Sequence, residues 1–124
     1  MASGDPIPRD QVIYRAVSWG RIDRKSKKPK DTAFLLRPAT DKFPAESSLT
    51  FGLTPQAALQ GLAGVTQTCQ IKVGEILDLG HNLTVVENTD PLHVQVGGMP
   101  QLENDEGLAL TIAKDMRQIA SVCS

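Results

Sequence analysis

Apolar and polar residues alternate in several short runs along the chain, and this period of two predicts β-strands. The first run, Gln11–Ser18, is rich in β-branched and aromatic residues, which are typical of strands. Further strands are predicted at Ala33–Arg37, Ser48–Leu53, Thr66–Val73, Asn82–Glu87 and Leu92–Val96. The pattern therefore indicates five or six short strands.

Two segments carry the signals of a helix start. Thr54 offers an N-cap hydroxyl and Pro55 a first helical position, so a helix is predicted from there to Gly64. Near the C-terminus, Asn104 or Asp105 caps a second helix, whose apolar residues recur at helical spacing. This stripe consists of Leu108, Ile112, Met116, Ile119 and Cys123, widened by Leu110 and Ala113. We interpret it as a core face, because small domains rarely leave such a helix unpacked.

Strands and helices that do not alternate regularly predict an α+β fold. We expect a small, largely antiparallel sheet of five or six strands, with a middle helix and a C-terminal helix. The 124 residues correspond to one domain. We predict a flexible N-terminus over residues 1–10 and a single globular domain over residues 11–124.

Composition excludes several classes of protein. Hydrophobic residues make up 40% and charged residues 22% of the chain, which is typical of a folded domain. The formal net charge of -1 gives no strong signal for nucleic-acid binding. No run approaches the ~20 apolar residues of a membrane span, and Met1–Pro6 lacks the basic and apolar regions that are typical of a signal peptide. We therefore expect a cytoplasmic protein.

Few residues suggest metal or cofactor chemistry. Cys69 and Cys123 lie far apart, and His81 and His93 are not at metal-ligand spacing from them. We predict no metal site and, from the residues alone, no cofactor. His93 and Gln95 share one face of a predicted strand, so they either line a cleft or belong to a solvated sheet face.

The segment from Arg21 to Asp31 holds six basic residues and reads as a solvated loop or hairpin tip. Lys25, Lys27 and Lys28 are candidates for binding an anion or an acidic surface, and Trp19 is a neighbouring aromatic residue that could stack on a ligand. The chain lacks the aromatic pairs of an RNA-recognition motif.

Three stretches carry a family resemblance. Val12–Arg15 is followed by Leu49–Phe51 running into Thr54–Ala58, and then by Gln70–Val73 with Ile76–Leu79. This order resembles the small ADP-ribosyltransferase-like toxins and covers most of residues 12 to 96. In that family an Arg ends the first strand, a Ser or Tyr lies on the strand before an Ala-containing helix, and a Glu or Gln stands on a later strand.

The resemblance implies three catalytic positions, namely Arg15, Thr50 and Gln95, and NAD as the cofactor. Thr50 stands where the family has Ser. Two hypotheses follow from the sequence. The first is a cytosolic interaction module that presents a sheet edge or the basic loop to a protein partner or to a second copy. The second is an NAD-dependent transferase or a degenerate relative, in which Arg15, Thr50 and either His93 or Gln95 converge on one pocket.

Overall fold

The computed structural model describes residues 6–17, 20, 22–23, 25–26, 28–36, 41, 48–60, 67–88 and 92–123. Within these residues the chain forms eight strands and three α-helices, and the α+β prediction is confirmed. The strands are β1 Val12–Val17, β2 Ile22–Asp23, β3 Lys28–Pro29, β4 Ser48–Gly52, β5 Gln67–Lys72, β6 Thr84–Glu87, β7 His93–Gly97 and β8 Ser121–Cys123. The helices are α1 Pro55–Leu59, α2 Val73–Leu77 and α3 Glu106–Ile119, and a 3-10 helix covers Asp31–Phe34.

Six strands form one antiparallel sheet in the order β6-β7-β4-β1-β5-β8, and β2 pairs with β3 in a small second sheet. The pairing within the large sheet is uneven. Strand β1 makes six register pairs with β5, and β4 makes five with β7. Between the described residues of β1 and β4, in contrast, the register contains only Tyr14 opposite Gly52. The sheet therefore consists of two three-stranded halves that meet at a narrow seam.

The core is mainly aliphatic, because the chain contains few aromatic residues. Strand residues from both halves contribute to it, together with α2, α3 and the 3-10 helix. Its largest fully buried side chains are Ile13, Phe34, Leu49, Phe51, Ile71, Ile76, Ile112 and Met116. Because the two halves and the helices share one cluster, the domain has a single hydrophobic core.

Both predicted helix starts are present. The Thr54 hydroxyl accepts a hydrogen bond from the amide of Ala57, and Pro55 is the first helical residue. The Asp105 carboxylate accepts one from the amide of Leu108 at the start of α3. Helix α1 ends at Leu59, and residues 61–66 lie outside the described residues. In the described part of the chain, no helix is long and apolar enough to cross a membrane.

The predicted strand Ala33–Arg37 is wrong. Its first two residues belong to the 3-10 helix, where Ala33 donates its amide to the carbonyl of Lys30 at 3.0 Å. Ala33 and Phe34 are both buried, and the segment packs against α3. A short apolar run does not distinguish a strand from a buried helical turn, so packing decided the outcome.

The core face of α3 differs from the predicted stripe at both ends. Ala109, Ile112, Ala113 and Met116 are buried, but Leu108 is 41% exposed. The helix ends at Ile119, and the next residue is extended. Residues 121–123 then pair with β5 as an edge strand, so Cys123 lies on a strand rather than on the helix.

The described part of the N-terminal segment is packed, whereas the sequence predicts flexibility up to residue 10. Pro6 forms an isolated β-bridge with Val86. Ile7 is buried and donates its amide to the carbonyl of Val85 at 3.1 Å. One apolar side chain and two contacts with the edge of β6 therefore attach this segment, and they also cover part of that edge.

Candidate functional site

A cleft of about 280 Å³ opens at the seam between the two halves of the sheet. Strand β1 contributes Arg15 and Ala16 to its lining, and β4 contributes Thr50 and Phe51. The remaining lining residues are Ala57, Ala58 and Gln60 of the α1 region and His93 of β7. The cleft thus lies beside the single pair that joins β1 to β4.

Helix α1 sits directly on this pair. A Cβ atom at Gly52 would lie 2.4 Å from the backbone nitrogen of Ala58, so the close approach requires glycine. Nε2 of His93 lies 2.9 Å from the carbonyl oxygen of Ala57. Since a carbonyl only accepts, His93 carries its proton on Nε2 and donates it to α1. Helix α1, which covers the cleft, therefore contacts both β4 and β7.

Two hydrogen bonds to main-chain carbonyls help to hold Arg15 at the wall of the cleft. Its Nε donates to the carbonyl oxygen of Ala33 at 2.7 Å and its Nη1 to that of Thr50 at 3.0 Å. The guanidinium carbon also lies 5.7 Å from the centroid of the Phe51 ring, within range of a cation–π contact. These contacts place a positively charged group in a defined orientation.

A polar cluster continues from the cleft along β4 and β7. Thr50 and Gln95 are opposite each other in the ladder. Nε2 of Gln95 donates to the hydroxyl oxygen of Thr50 at 3.0 Å, and Oε1 of Gln95 accepts from the Ser48 hydroxyl at 2.7 Å. Gln95 itself does not line the cleft. Its hydrogen bond orients the Thr50 hydroxyl.

The structure therefore brings three predicted residues to one concavity, namely Arg15, Thr50 and His93, and places Gln95 in hydrogen-bond contact with one of them. Among the described residues that line the cleft, there is a guanidinium and no carboxylate. Such a lining favours ligands that carry negative charge or hydrogen-bond acceptors.

The basic loop is a hairpin, and its lysines differ in their surroundings. Lys25 is exposed in the turn between β2 and β3. Lys28 is half-buried, and its Nζ donates to the carbonyl oxygens of Gln118 and Ala120 at 2.8 and 3.1 Å. Lys28 therefore attaches the hairpin to the end of α3, and its ammonium group is engaged by carbonyls of the same chain. Lys27 and Trp19 lie outside the described residues.

Sequence reasoning missed two features, one at the cleft and one formed by residues that do not line it. Ser48 and Gln60 were not among the candidates, although the alternation on β4 already places Ser48 on the same face as Thr50. It also missed that Nε2 of His81 lies 2.7 Å from Oδ2 of Asp115, because 34 residues separate them. No group of three or more His, Cys, Asp or Glu side chains suited to a metal ion occurs within the described residues.

No protein-family model, curated protein or solved structure matches the chain. The function is therefore inferred from the cleft and from the residues that line it.

Proposed function

We propose that the protein is an ADP-ribosyltransferase-like domain that binds NAD in the cleft between β1 and β4. The observation that carries this proposal is the meeting of Arg15, Thr50 and His93 around one concavity. These three residues lie on three different strands and are 35 or more positions apart in the chain. Their convergence is therefore not a consequence of neighbouring sequence. Convergence is what a transferase-like site requires, and an interaction module would not need it.

The residues present fit the charge of NAD. Its diphosphate is an anion, and a guanidinium is the side chain best suited to bind phosphate oxygens. The exposed hydroxyl of Thr50 adds a hydrogen-bonding group on the opposite wall. The volume of about 280 Å³ lies just below the range for small-molecule pockets, which is about 300 to 1,000 Å³. The cleft is thus sized for one part of the dinucleotide.

In a transferase of this kind, NAD supplies an ADP-ribosyl group and releases nicotinamide. Gln95 stands where the family has Glu or Gln, and in this chain it contacts Thr50 without lining the cleft. Its amide is neutral, so it cannot accept a proton from an attacking group or balance positive charge as a carboxylate would. Its bonds to Ser48 and Thr50 instead position the Thr50 hydroxyl. We therefore infer a degenerate relative that binds NAD and transfers slowly.

The test uses Gln60, which is exposed and lines the cleft. Isothermal titration with NAD compares Gln60→Glu with Gln60→Lys, two changes that introduce charges of opposite sign at the same position. We expect the glutamate variant to bind about 2- to 5-fold more weakly than wild type and the lysine variant more tightly, since one surface charge contributes up to about 1 kcal/mol. The difference should shrink at high salt.

Gln118 provides the matched control, because it is an exposed glutamine on α3 that is not part of the cleft. Gln118→Glu and Gln118→Lys should leave the affinity for NAD unchanged. Absence of NAD binding by the wild-type protein, or equal effects at both glutamines, would refute the proposed site. Released nicotinamide, measured by chromatography, separates slow transfer from binding alone.

A second candidate function, the interaction module, is favoured by a specific surface feature. Leu102 and Leu108 flank the start of α3 and are 39% and 41% exposed. Exposed large apolar side chains are typical of protein contacts when they form a continuous patch. If this surface pairs two copies, sedimentation at micromolar concentration should show a dimer that Leu108→Asp dissociates; a monomer at all concentrations would remove the homodimer.

A further inference from the structure

The cleft occupies the place of a missing pair in the sheet. Tyr14 opposite Gly52 is the register pair between β1 and β4. In an antiparallel ladder, moving two residues along each strand brings the next equivalent pair together. That pair would be Ala16 opposite Thr50. Both residues line the cleft instead, so the two strands diverge where the next pair would form.

The main-chain groups of β1 at this position point toward β4. The amide of Val73 donates to the carbonyl of Gln11 at 2.9 Å, on the side where β5 lies. Successive residues of a strand direct their N–H and C=O groups to opposite sides. The main-chain groups of odd-numbered residues of β1 therefore face β5. The amide and carbonyl of Ala16 face the gap between β1 and β4.

The main-chain groups of β4 are complementary. The amide of Leu53 donates to the carbonyl of Leu92 at 2.7 Å, on the side of β7. By the same alternation the even-numbered residues of β4 face β1. Thr50 and Ala16 therefore present matching amide and carbonyl groups to each other from opposite sides of the cleft.

Arg15 supplies the donor that the ladder would otherwise provide. A main-chain carbonyl inside a sheet needs a hydrogen-bond donor, and the carbonyl of Thr50 receives Nη1 of Arg15 at 3.0 Å. The same carbonyl could accept from the amide of Ala16 if the strands moved together. One acceptor therefore has two alternative donors, one on a side chain and one on the main chain.

We propose that the gap between β1 and β4 is a gate with two states. In the open state Arg15 donates to the carbonyl of Thr50 and the cleft is accessible. In the closed state the ladder extends by the pair Ala16–Thr50, Arg15 leaves that carbonyl, and the cleft is filled. A ligand in the cleft binds only the open state and shifts the population toward it. The identity of this ligand as NAD rests on the proposed function; the gate itself does not.

The test is a cross-link that reports the closed state. Opposing residues of a ladder have Cβ atoms about 4.5 to 5.5 Å apart, close to the spacing that a disulfide requires. The double variant Ala16→Cys/Thr50→Cys is oxidised mildly, and the linked peptides are identified by mass spectrometry. The control is Gln70→Cys/Ser121→Cys, an exposed pair of the same hydrogen-bonded type that is already joined in the ladder of β5 and β8.

We expect the Ala16–Thr50 link to form at a rate within about tenfold of the control rate. Adding Arg15→Met should accelerate it, because the carbonyl of Thr50 loses its side-chain donor. Saturating NAD should slow this link severalfold and leave the control unchanged. NAD binding to the reduced double variant is measured first by titration, so that the NAD arm is interpretable.

No Ala16–Thr50 link under conditions where the control link is complete would overturn the gate. A link that forms at the same rate with bound NAD would overturn the claim that the ligand holds the gate open. If the link forms, Arg15→Met accelerates it and the wild-type protein does not bind NAD, the gate stands and the proposed function fails.

Discussion

Nη2 of Arg117 donates to Oδ2 of Asp23 at 3.0 Å and joins residues that are 94 positions apart. The same guanidinium donates through Nε to the carbonyl oxygen of Pro29 at 3.0 Å. Strands β2 and β3 are thereby attached to the last turn of α3. Two strands of two residues each are not stable alone in water, so the hairpin depends on these contacts.

Lys28→Met should destabilise the protein, whereas Lys25→Met should not. Nζ of Lys28 donates to the carbonyls of Gln118 and Ala120 at the C-terminal end of α3, where a cation is favourable. We expect a loss of about 1 kcal/mol in the free energy of unfolding. Lys25 is exposed and provides the control. Urea unfolding of both variants measures the difference in stability. Equal unfolding midpoints would mean that Lys28 contributes nothing to stability.

The contribution of Asp23 to stability should depend on pH. The amide of Lys25 donates to this carboxylate and lowers its pKa below the usual 3.8, with the Ser26 hydroxyl and the charge of Arg117 acting in the same direction and burial opposing them. A lowered pKa means that the folded state favours the ionised form. This stabilisation is complete at neutral pH and is lost as the pH falls through the lowered pKa.

Asp23→Asn should therefore reduce the melting temperature at pH 7 and have a smaller effect at pH 3. Thermal unfolding followed by circular dichroism at both pH values measures the difference. Asp41→Asn is a control, because Asp41 is exposed. A penalty for Asp23→Asn that stays constant with pH would show that the ionised carboxylate is not what stabilises the hairpin.

Structural features that depend on neighbouring residues were predicted well from the sequence. Features that depend on long-range pairing were predicted poorly. Thr54 and Asp105 cap their helices as expected, because a cap depends on residues within one turn. The alternation along β4 and β7 predicted strands at nearly the observed bounds. The 3-10 helix at Asp31–Phe34 and the strand at Ser121–Cys123 were missed, because their conformation is set by packing against α3 and pairing with β5.

The geometry of the candidate cleft could not be predicted, because it depends on contacts between distant residues. A resemblance identified Arg15, Thr50 and Gln95, but no sequence pattern shows that Arg15 donates to the carbonyl of Thr50. Such a bond depends on the divergence of β1 and β4, which is a property of the assembled sheet. Likewise, the charge run around Lys28 suggested a solvated loop, and only the fold brings it to the end of α3.

Ile112→Asp should unfold the domain, and Leu108→Asp should be tolerated. Ile112 is buried in the core face of α3, where an unpaired carboxylate costs several kcal/mol against a total stability of about 5 to 15 kcal/mol. Leu108 is 41% exposed and lies in the first helical turn, where an acidic residue is favourable. Circular dichroism of the two purified variants checks this. An unfolded Leu108→Asp variant would contradict the observed orientation of α3.

Gly52→Ala should destabilise the protein and displace α1 from the cleft. The new Cβ would lie 2.4 Å from the backbone nitrogen of Ala58 and 2.8 Å from the carbonyl oxygen of Thr54, and neither backbone atom can rotate away. Helix α1 must then move, which should break the bond from His93 to Ala57. We expect a loss of about 1 to 3 kcal/mol, as for other overpacked sites.

Gly20→Ala is the matched control, because a Cβ at Gly20 would have no neighbour within 4 Å among the described residues. That variant should unfold at the same urea concentration as wild type or slightly higher, since alanine restricts the unfolded chain. Urea denaturation gives the free energies, and the ring-proton chemical shifts of His93 report whether its bond to α1 persists. A Gly52→Ala variant with wild-type stability and unchanged His93 shifts would mean that α1 does not rest on the Tyr14–Gly52 pair.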